Sequence, residues 1–311
     1  MNVIKLSATE KKRFNTVHAA LLFWYKKNRR KFSWRKKIRD PYEVLVCEVM
    51  GQQTQASRIE EFLPRFLSKF PTLRSLASAK QSAVIKEWQG LGYNRRALNL
   101  HRAAKELYSD HSSRFPRTEE KLLALPGIGK YTARAVLIFA FNKPIATVDI
   151  NIQRLLSRLY KKMPDRDAML PQKEIFDLAE MILPIKGSRL WHEALMDFGA
   201  TICTKRNPGC PACPLFDECK SGKVFIDIPE SSTVPIRNNE PKYFGRPRRI
   251  WRGKVLKIIA EHEPVVADGI SRNIQNSFPK SEFAVFVKTI LDDLVAEGFC
   301  IKKNTTYCLL P

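Results

Sequence analysis

Four of the seven cysteines in this 311-residue chain fall within seventeen residues, as Cys203, Cys210, Cys213 and Cys219 in the pattern C-x6-C-x2-C-x5-C. This crowding constrains the fold more than any other feature, because four thiolates so close together converge on one centre if the loop folds back on itself. An odd total and a single cluster argue against the dispersed pairs of a secreted disulfide framework. Zinc ribbons also use four thiolates, but they usually set two close pairs on either side of a longer spacer. One close pair with wider single spacings suits a [4Fe-4S] cluster better.

Lys and Arg outnumber Asp and Glu by 54 to 31, a formal charge of +23, which favours a polyanionic partner and salt-sensitive binding. No stretch approaches the roughly 18 consecutive apolar residues of a spanning helix, and MNVIKLSATEKKRF lacks the apolar run of a signal peptide. The expectation is a folded cytoplasmic chain that binds nucleic acid rather than membrane.

From Leu6 to about Gly222 the pattern is helical almost throughout, as in PRFLSKF and LNLHRAAKELY, with Pro, Gly and Asn marking short loops. After Lys223, three prolines between Phe225 and Arg246 and little periodicity read as a linker, taken over 225–248. Residues 249–311 then read as a basic helix, a short helix, a longer helix and a strand pair, an order similar to a winged helix.

Between two of the helical segments lies Leu125-Pro126-Gly127-Ile128-Gly129, whose glycines Gly127 and Gly129 let backbone N–H groups approach a phosphate at a helix N-terminus, with Lys130 alongside. An ordinary helix-joining turn is the alternative. Glu48 sits among Val44, Leu45, Val46, Cys47, Val49 and Met50, where desolvation raises a carboxyl pKa and suits it to donate a proton near neutral pH. The run Gln52, Gln53, Thr54 and Gln55 that ends this apolar helix needs a polar partner. Asp149 precedes INIQRLLSRLY and is placed to cap that helix. Lys26 to Arg39 holds nine basic residues in fourteen, interrupted by Phe32 and Trp34.

Taken in order, Asp40-Pro41-Tyr42 with EVMGQQTQ, Gly90-Leu91-Gly92-Tyr93, LPGIG, Val148-Asp149-Ile150-Asn151 and the four cysteines resemble the motifs of the MutY-type adenine glycosylases. These are part of the helix-hairpin-helix, iron-sulfur DNA glycosylases related to endonuclease III. The resemblance covers roughly residues 10 to 222, about two thirds of the chain. It implies a mostly α, two-lobed fold: a cluster lobe from 1–40 and 147–224, a helical barrel lobe with the hairpin over 41–146, then the linker and the winged-helix-like domain. It implies a structural [4Fe-4S] cluster and, as partner, double-stranded DNA carrying a mismatch or lesion, bound by a monomer.

The same resemblance assigns roles. Glu48 protonates adenine at N7, while Asp149 faces the anomeric carbon and Asn151 orients Asp149 or the water. Arg30 matches a basic position near the catalytic glutamate. Gln53 and Thr54 reach the opposite strand and the estranged base, Gln52 beside them also touches DNA, Tyr93 fills the hole left by an extruded base, and Leu91 presses near the opposite base. Tyr131 occupies the position where bifunctional relatives carry the Schiff-base lysine, which implies a monofunctional enzyme of base excision repair. That enzyme hydrolyses the N-glycosidic bond of adenine opposite 8-oxoguanine or guanine and leaves an abasic site. The sequence departs from the family at Gly51, at Asn94 and at Ser33, where a second aromatic and a proline are usual at the last two. MutY enzymes normally carry a NUDIX-like C-terminal domain, for which residues 249–311 are too few. A thymine glycosylase acting on G·T mismatches and a non-catalytic DNA-binding or lesion-sensing protein are the alternatives.

Overall fold

A computed structural model describes residues 7–36, 39–110, 115–226, 240–274 and 280–311. In chain order the helices before the cysteine loop are α1 (Ala8–Asn28), α2 (Pro41–Gly51), α3 (Ala56–Lys69), α4 (Leu73–Ala77), α5 (Gln81–Trp88), α6 (Arg95–Asp110), α7 (Glu119–Leu123), α8 (Lys130–Phe141), α9 (Ile150–Tyr160), α10 (Gln172–Met181) and α11 (Ser188–Thr201). After it come α12 (Gly222–Ile226), β1 (Lys242–Tyr243), β2 (Arg246–Pro247), α13 (Arg248–His262), β3 (Val265–Val266), α14 (Ala267–Ile274), α15 (Lys280–Ala296), β4 (Cys300–Lys303) and β5 (Thr306–Leu309). Among the described residues, no helix is long and apolar enough to cross a membrane.

The chain forms two compact units. One gathers the described residues of Met1–Val44, Arg117–Leu123 and Ile128–Pro235. Its helices are amphipathic for legible reasons. In α9 the apolar Ile152, Leu155, Leu156 and Leu159 recur at helical spacing, and all four are buried with Trp191 and Phe198 of α11 and Val17 and Leu21 of α1. A capping box of Ser7 and Glu10 starts α1, each side chain serving the other's backbone N–H. Asn142, in left-handed conformation, ends α8.

The other unit gathers the described residues of Leu45–Pro116, Ala124–Gly127 and Ile236–Pro311. Its C-terminal part has the helix and strand order of a winged helix: β3, β5 and β4 form an antiparallel sheet in that spatial order, with Val265 opposite Tyr307 and Lys302 also opposite Tyr307. Trp251, Ile259, Phe283, Ile290 and Phe299 fill its core, and Ile85 of α5 and Leu98 of α6 belong to the same cluster. Gln81 Nε2 donates to the Gly298 carbonyl at 2.7 Å, and Lys86 pairs with Glu263 at 2.7 Å, so polar links flank the shared apolar contact.

The segment expected as a linker, 225–248, is structured where it is described. Phe225 lies inside α12, and β1 and β2 form a hairpin held by Trp251 Nε1, which donates to the Tyr243 carbonyl at 2.6 Å. Tyr243 also stacks on Phe286 with centroids 5.4 Å apart. These aromatic contacts lie far along the chain, so local composition read as irregular. Residues 227–239 of the expected linker lie outside the described residues.

Candidate functional site

In the first unit Asp149 is the N-cap of α9: its Oδ1 accepts from the Ile152 N–H at 2.7 Å. Its Oδ2 accepts from Asn151 Nδ2 at 3.0 Å, and Asn151 Oδ1 in turn accepts from Arg154 Nη2 at 2.9 Å. Arg154 also donates through Nε to the Cys203 carbonyl at 2.9 Å and through Nη2 to the Gly199 carbonyl. This one-way donor chain holds both oxygens of Asp149 and ties them to the start of the cysteine loop. A Cβ on Gly199 would meet Asn151 Cβ at 2.9 Å, so glycine there is what lets α11 approach the motif.

His192, 1% exposed on α11, holds the segment that leads to Asp149. The Thr147 N–H donates to its Nε2 at 3.1 Å, which requires the tautomer whose Nδ1–H donates to the Ser188 carbonyl at 2.7 Å. Burial pushes the imidazole from 6.5 down to about 4. His101, buried on α6, is lowered to about 4 chiefly for the same reason. The unfolded chain therefore binds more protons than the native one between those values. Stability is full above pH 6.5 and falls as pH drops towards 4, by at most about 3 kcal/mol per histidine. Chemical denaturation across that range should show the loss, and His192→Gln, which keeps an acceptor but cannot titrate, should flatten part of it.

The basic N-terminal segment is anchored in the same unit. Arg30 donates through its backbone N–H and Nε to the fully buried Asp197, and Arg35 donates through both terminal nitrogens to the same carboxylate. Arg39 and the Tyr25 hydroxyl hold Glu193. Arg30 thus pairs with Asp197, a partner that sequence spacing could not name. Tyr131 lies half-buried in the first turn of α8, and exposed Lys130 sits over the Phe176 ring at 5.2 Å. Gly129 caps α8, and a Cβ there would meet nothing within 4 Å. The fold does not demand glycine at this point, and the open space leaves the backbone N–H groups accessible to an anion.

Cys203, Cys210, Cys213 and Cys219 are unbridged and line one cavity with Leu155 and Phe198. Buried Arg158 crosses beneath the loop, donating to the carbonyls of Thr204 (2.8 Å), Lys205 (3.1 Å) and Arg166 (2.6 Å), with Nη1 3.5 Å from Cys203 Sγ. Burial drives the Cys213 thiol up to about 12, and the charges of Cys203, Cys219 and Cys210 add to the rise. Four thiolates in such a place need compensating positive charge, which a metal centre supplies. Among the described residues no three His, Cys, Asp or Glu side chains close on a point that one ion could fill. Lys205, Arg206 and Lys220 are exposed around the loop.

In the second unit Glu48 is half-buried on α2 between Cys47 and Val49, both buried. The residue that organises its surroundings is Arg96, which its neighbours in sequence do not announce. Its Nη1 donates to the carbonyls of Val49 (3.1 Å), Met50 (2.7 Å) and Gln52 (2.6 Å), and its Nη2 to Thr54 Oγ1 (3.1 Å) and the Gly92 carbonyl (3.0 Å). One buried guanidinium thus satisfies the last carbonyls of α2 and binds EVMGQQTQ to the Gly-Leu-Gly-Tyr turn. Burial lowers its pKa to about 10, so it stays charged at neutral pH. Arg96→Met should strand these acceptors, lowering stability by about 3 kcal/mol in denaturant titration.

The turn itself is shaped for exposure. Tyr93 is 52% exposed with φ 47°, and exposed Gln53 has φ 56°, left-handed conformations that cost a residue bearing a Cβ about 1–2 kcal/mol. Leu91 is buried at the foot of the turn. Gln52 Nε2 reaches the Gly127 carbonyl at 3.4 Å, and at Gly127 (φ 75°) a Cβ would collide with Asn99 Cβ at 2.6 Å.

Residues 46–180 match the HhH-GPD superfamily of base excision DNA repair proteins. The adenine DNA glycosylase of Mycobacterium tuberculosis is 35% identical over 243 residues, 78% of each chain. That of Mycolicibacterium smegmatis is 33% identical over 277 residues, 89% of this chain and 92% of the relative. Among solved structures, a thermostable thymine-DNA glycosylase superposes with a TM-score of 0.63 at 31% identity, over 70% of this chain and all of the other. On this sequence and structural similarity, the chain belongs to the HhH-GPD superfamily of base excision DNA repair proteins and, within it, to the adenine DNA glycosylase family.

Proposed function

We propose that the chain is a monofunctional DNA glycosylase that, as a monomer on duplex DNA, hydrolyses the N-glycosidic bond of adenine opposite 8-oxoguanine or guanine. The observation that carries this reading is the carboxylate of Asp149, held as an acceptor on both oxygens within Val-Asp-Ile-Asn. Fixed negative charge of this kind stabilises a developing oxocarbenium sugar without reorganising. Glu48, on an apolar helix, supplies the proton that makes adenine a tolerable leaving group. Tyr131 puts no amine at the position where bifunctional relatives carry the Schiff-base lysine, so the product is an abasic site. Gly127, Gly129 and Lys130 take the phosphate backbone, and Gln52, Gln53, Thr54, Leu91 and Tyr93 serve the opened duplex. The +23 charge makes binding steeply salt-dependent.

Cys203, Cys210, Cys213 and Cys219 hold a [4Fe-4S] cluster in this reading. A cubane takes one thiolate at each iron, so its ligands surround a volume rather than a point, as these four do around their cavity. The cluster ties the loop into the domain and performs no step of the cleavage. Protein purified without oxygen should contain about four irons per chain, and Cys213→Ala should lose them. One zinc per chain would overturn the assignment.

The similarity to a thymine-DNA glycosylase keeps thymine opposite guanine as the second reading. Single-turnover release from duplexes carrying adenine opposite 8-oxoguanine, adenine opposite guanine and thymine opposite guanine separates the two. Release of adenine without strand cleavage is expected. Release of thymine alone selects the second reading, and release of neither base contradicts both.

A further inference from the structure

In the first unit, residues 142–149, which join α8 to α9, belong to no helix or strand. Ala146 is 1% exposed within them, so its backbone N–H and carbonyl need partners inside the protein. Both partners come from one ion pair. The Ala146 N–H donates to Glu180 Oε1 at 3.2 Å, and the Ala146 carbonyl accepts from Arg134 Nη1 at 2.9 Å. Arg134 Nη1 also donates to the same Glu180 oxygen at 2.9 Å. A guanidinium and a carboxylate thus do for Ala146 what a neighbouring strand does in a sheet, three residues before Asp149.

Arg134 is itself fixed in place. Its Nε donates to both oxygens of Glu119 on α7, at 2.9 and 3.0 Å, and its guanidinium lies over the Phe176 ring of α10 at 5.7 Å. The Lys130 ammonium rests over the same ring at 5.2 Å. Lys130 and Arg134 are one turn apart on α8, and so are Phe176 and Glu180 on α10, which lets the two pairs meet side by side. The Arg134 side chain is only 16% exposed, and its acceptors come from α7, α10 and the irregular segment. The branched guanidinium serves all three at once, which a single ammonium or amide could not.

We propose that Arg134 and Glu180 are positioning residues for Asp149, fixing the aspartate against the hairpin that seats the DNA backbone. Only Thr147 and Val148 separate the clamped Ala146 from Asp149, and the Thr147 N–H is itself held by His192. Gly129 and Lys130 stand at the start of the helix that bears Arg134, about 6 Å along its axis. One rigid element therefore sets both where a phosphate binds and where the carboxylate waits. Fixed negative charge helps a developing oxocarbenium sugar only at the right distance, and a misplacement of about 1 Å can cost about 10²-fold in rate. The inference rests on the glycosylase reading.

The test measures single-turnover base release, DNA affinity and amide hydrogen exchange on the full-length, cluster-loaded protein. Arg134→Met should lower release by about 10²-fold, change affinity for an uncleavable duplex by less than about threefold, and speed exchange of the Ala146 amide about tenfold. Glu180→Leu should do the same at a carboxylate that is 44% exposed, so it carries the test if Arg134→Met fails to fold. Glu180→Gln keeps an oxygen that accepts from Ala146 and Arg134, and should restore release to within about fivefold of the wild type. In an Asp149→Asn background Arg134→Met should cost less than about a further threefold, because the group it positions is already gone. An arginine that only held the fold together would lower release by the same factor in both backgrounds. Wild-type release in folded Arg134→Met and Glu180→Leu, or an equal loss with and without Asp149, would overturn the proposal. If the wild-type protein released no base, the glycosylase reading would fail, and exchange at Ala146 would still decide whether the pair fixes the segment.

Discussion

Asp149→Asn should reduce single-turnover base release by about 10³-fold while the protein still folds and binds DNA. Asparagine caps a helix about as well as aspartate, so Ile152 keeps its acceptor and α9 its start. The change does disturb the polar chain. Arg154 donates to Asn151 and Asn151 donates to Asp149, so an amide at 149 sets donor against donor unless Asn151 turns over, and turning sets its amide against Arg154. The cost in stability should be about 1 kcal/mol, far below what the loss of rate represents. If release and stability fell only by comparable small amounts, Asp149 would be a cap and nothing more.

The second large effect falls on Glu48. Glu48→Gln keeps shape and polarity in the half-buried position on α2 but removes the transferable proton, and release should drop by about 10²–10⁴. Affinity for a duplex with an uncleavable adenine analogue should change by less than threefold, because the lost interaction belongs to the transition state. A comparable loss in binding would instead make Glu48 a substrate-positioning group. Arg96→Met provides the contrast: it loosens the end of α2 and should damage stability and release together.

Much of this was legible in the sequence because the signals are local. Helical spacing in α9, the N-cap at Asp149, the glycine-rich turn before α8 and the cysteine spacing each need only a short window of chain. What escaped depends on long-range partners. Arg96 reads as one more cation after a turn, and only the fold shows it collecting the carbonyls of Val49, Met50, Gln52 and Gly92. Arg30 donates through its backbone N–H and Nε to Asp197, 167 residues away, a partner that no local pattern announces. His192 lies within an ordinary helical pattern, and its bond to Thr147 has no sequence signature. The winged-helix-like part read as a separate domain because nothing in α13 or α15 reveals that Ile85 and Leu98 complete its core.

The central claim is that a proton donor at 48 and an anion at 149 act on one everted nucleotide. A crystal structure of the Asp149→Asn protein, bound to a duplex with intact adenine opposite 8-oxoguanine, tests this most directly. The account predicts adenine out of the helix, its N7 within hydrogen-bond distance of the Glu48 carboxyl and its anomeric carbon facing the side chain at 149. An adenine still stacked in the duplex, or an extruded one with Glu48 directed elsewhere, would contradict it.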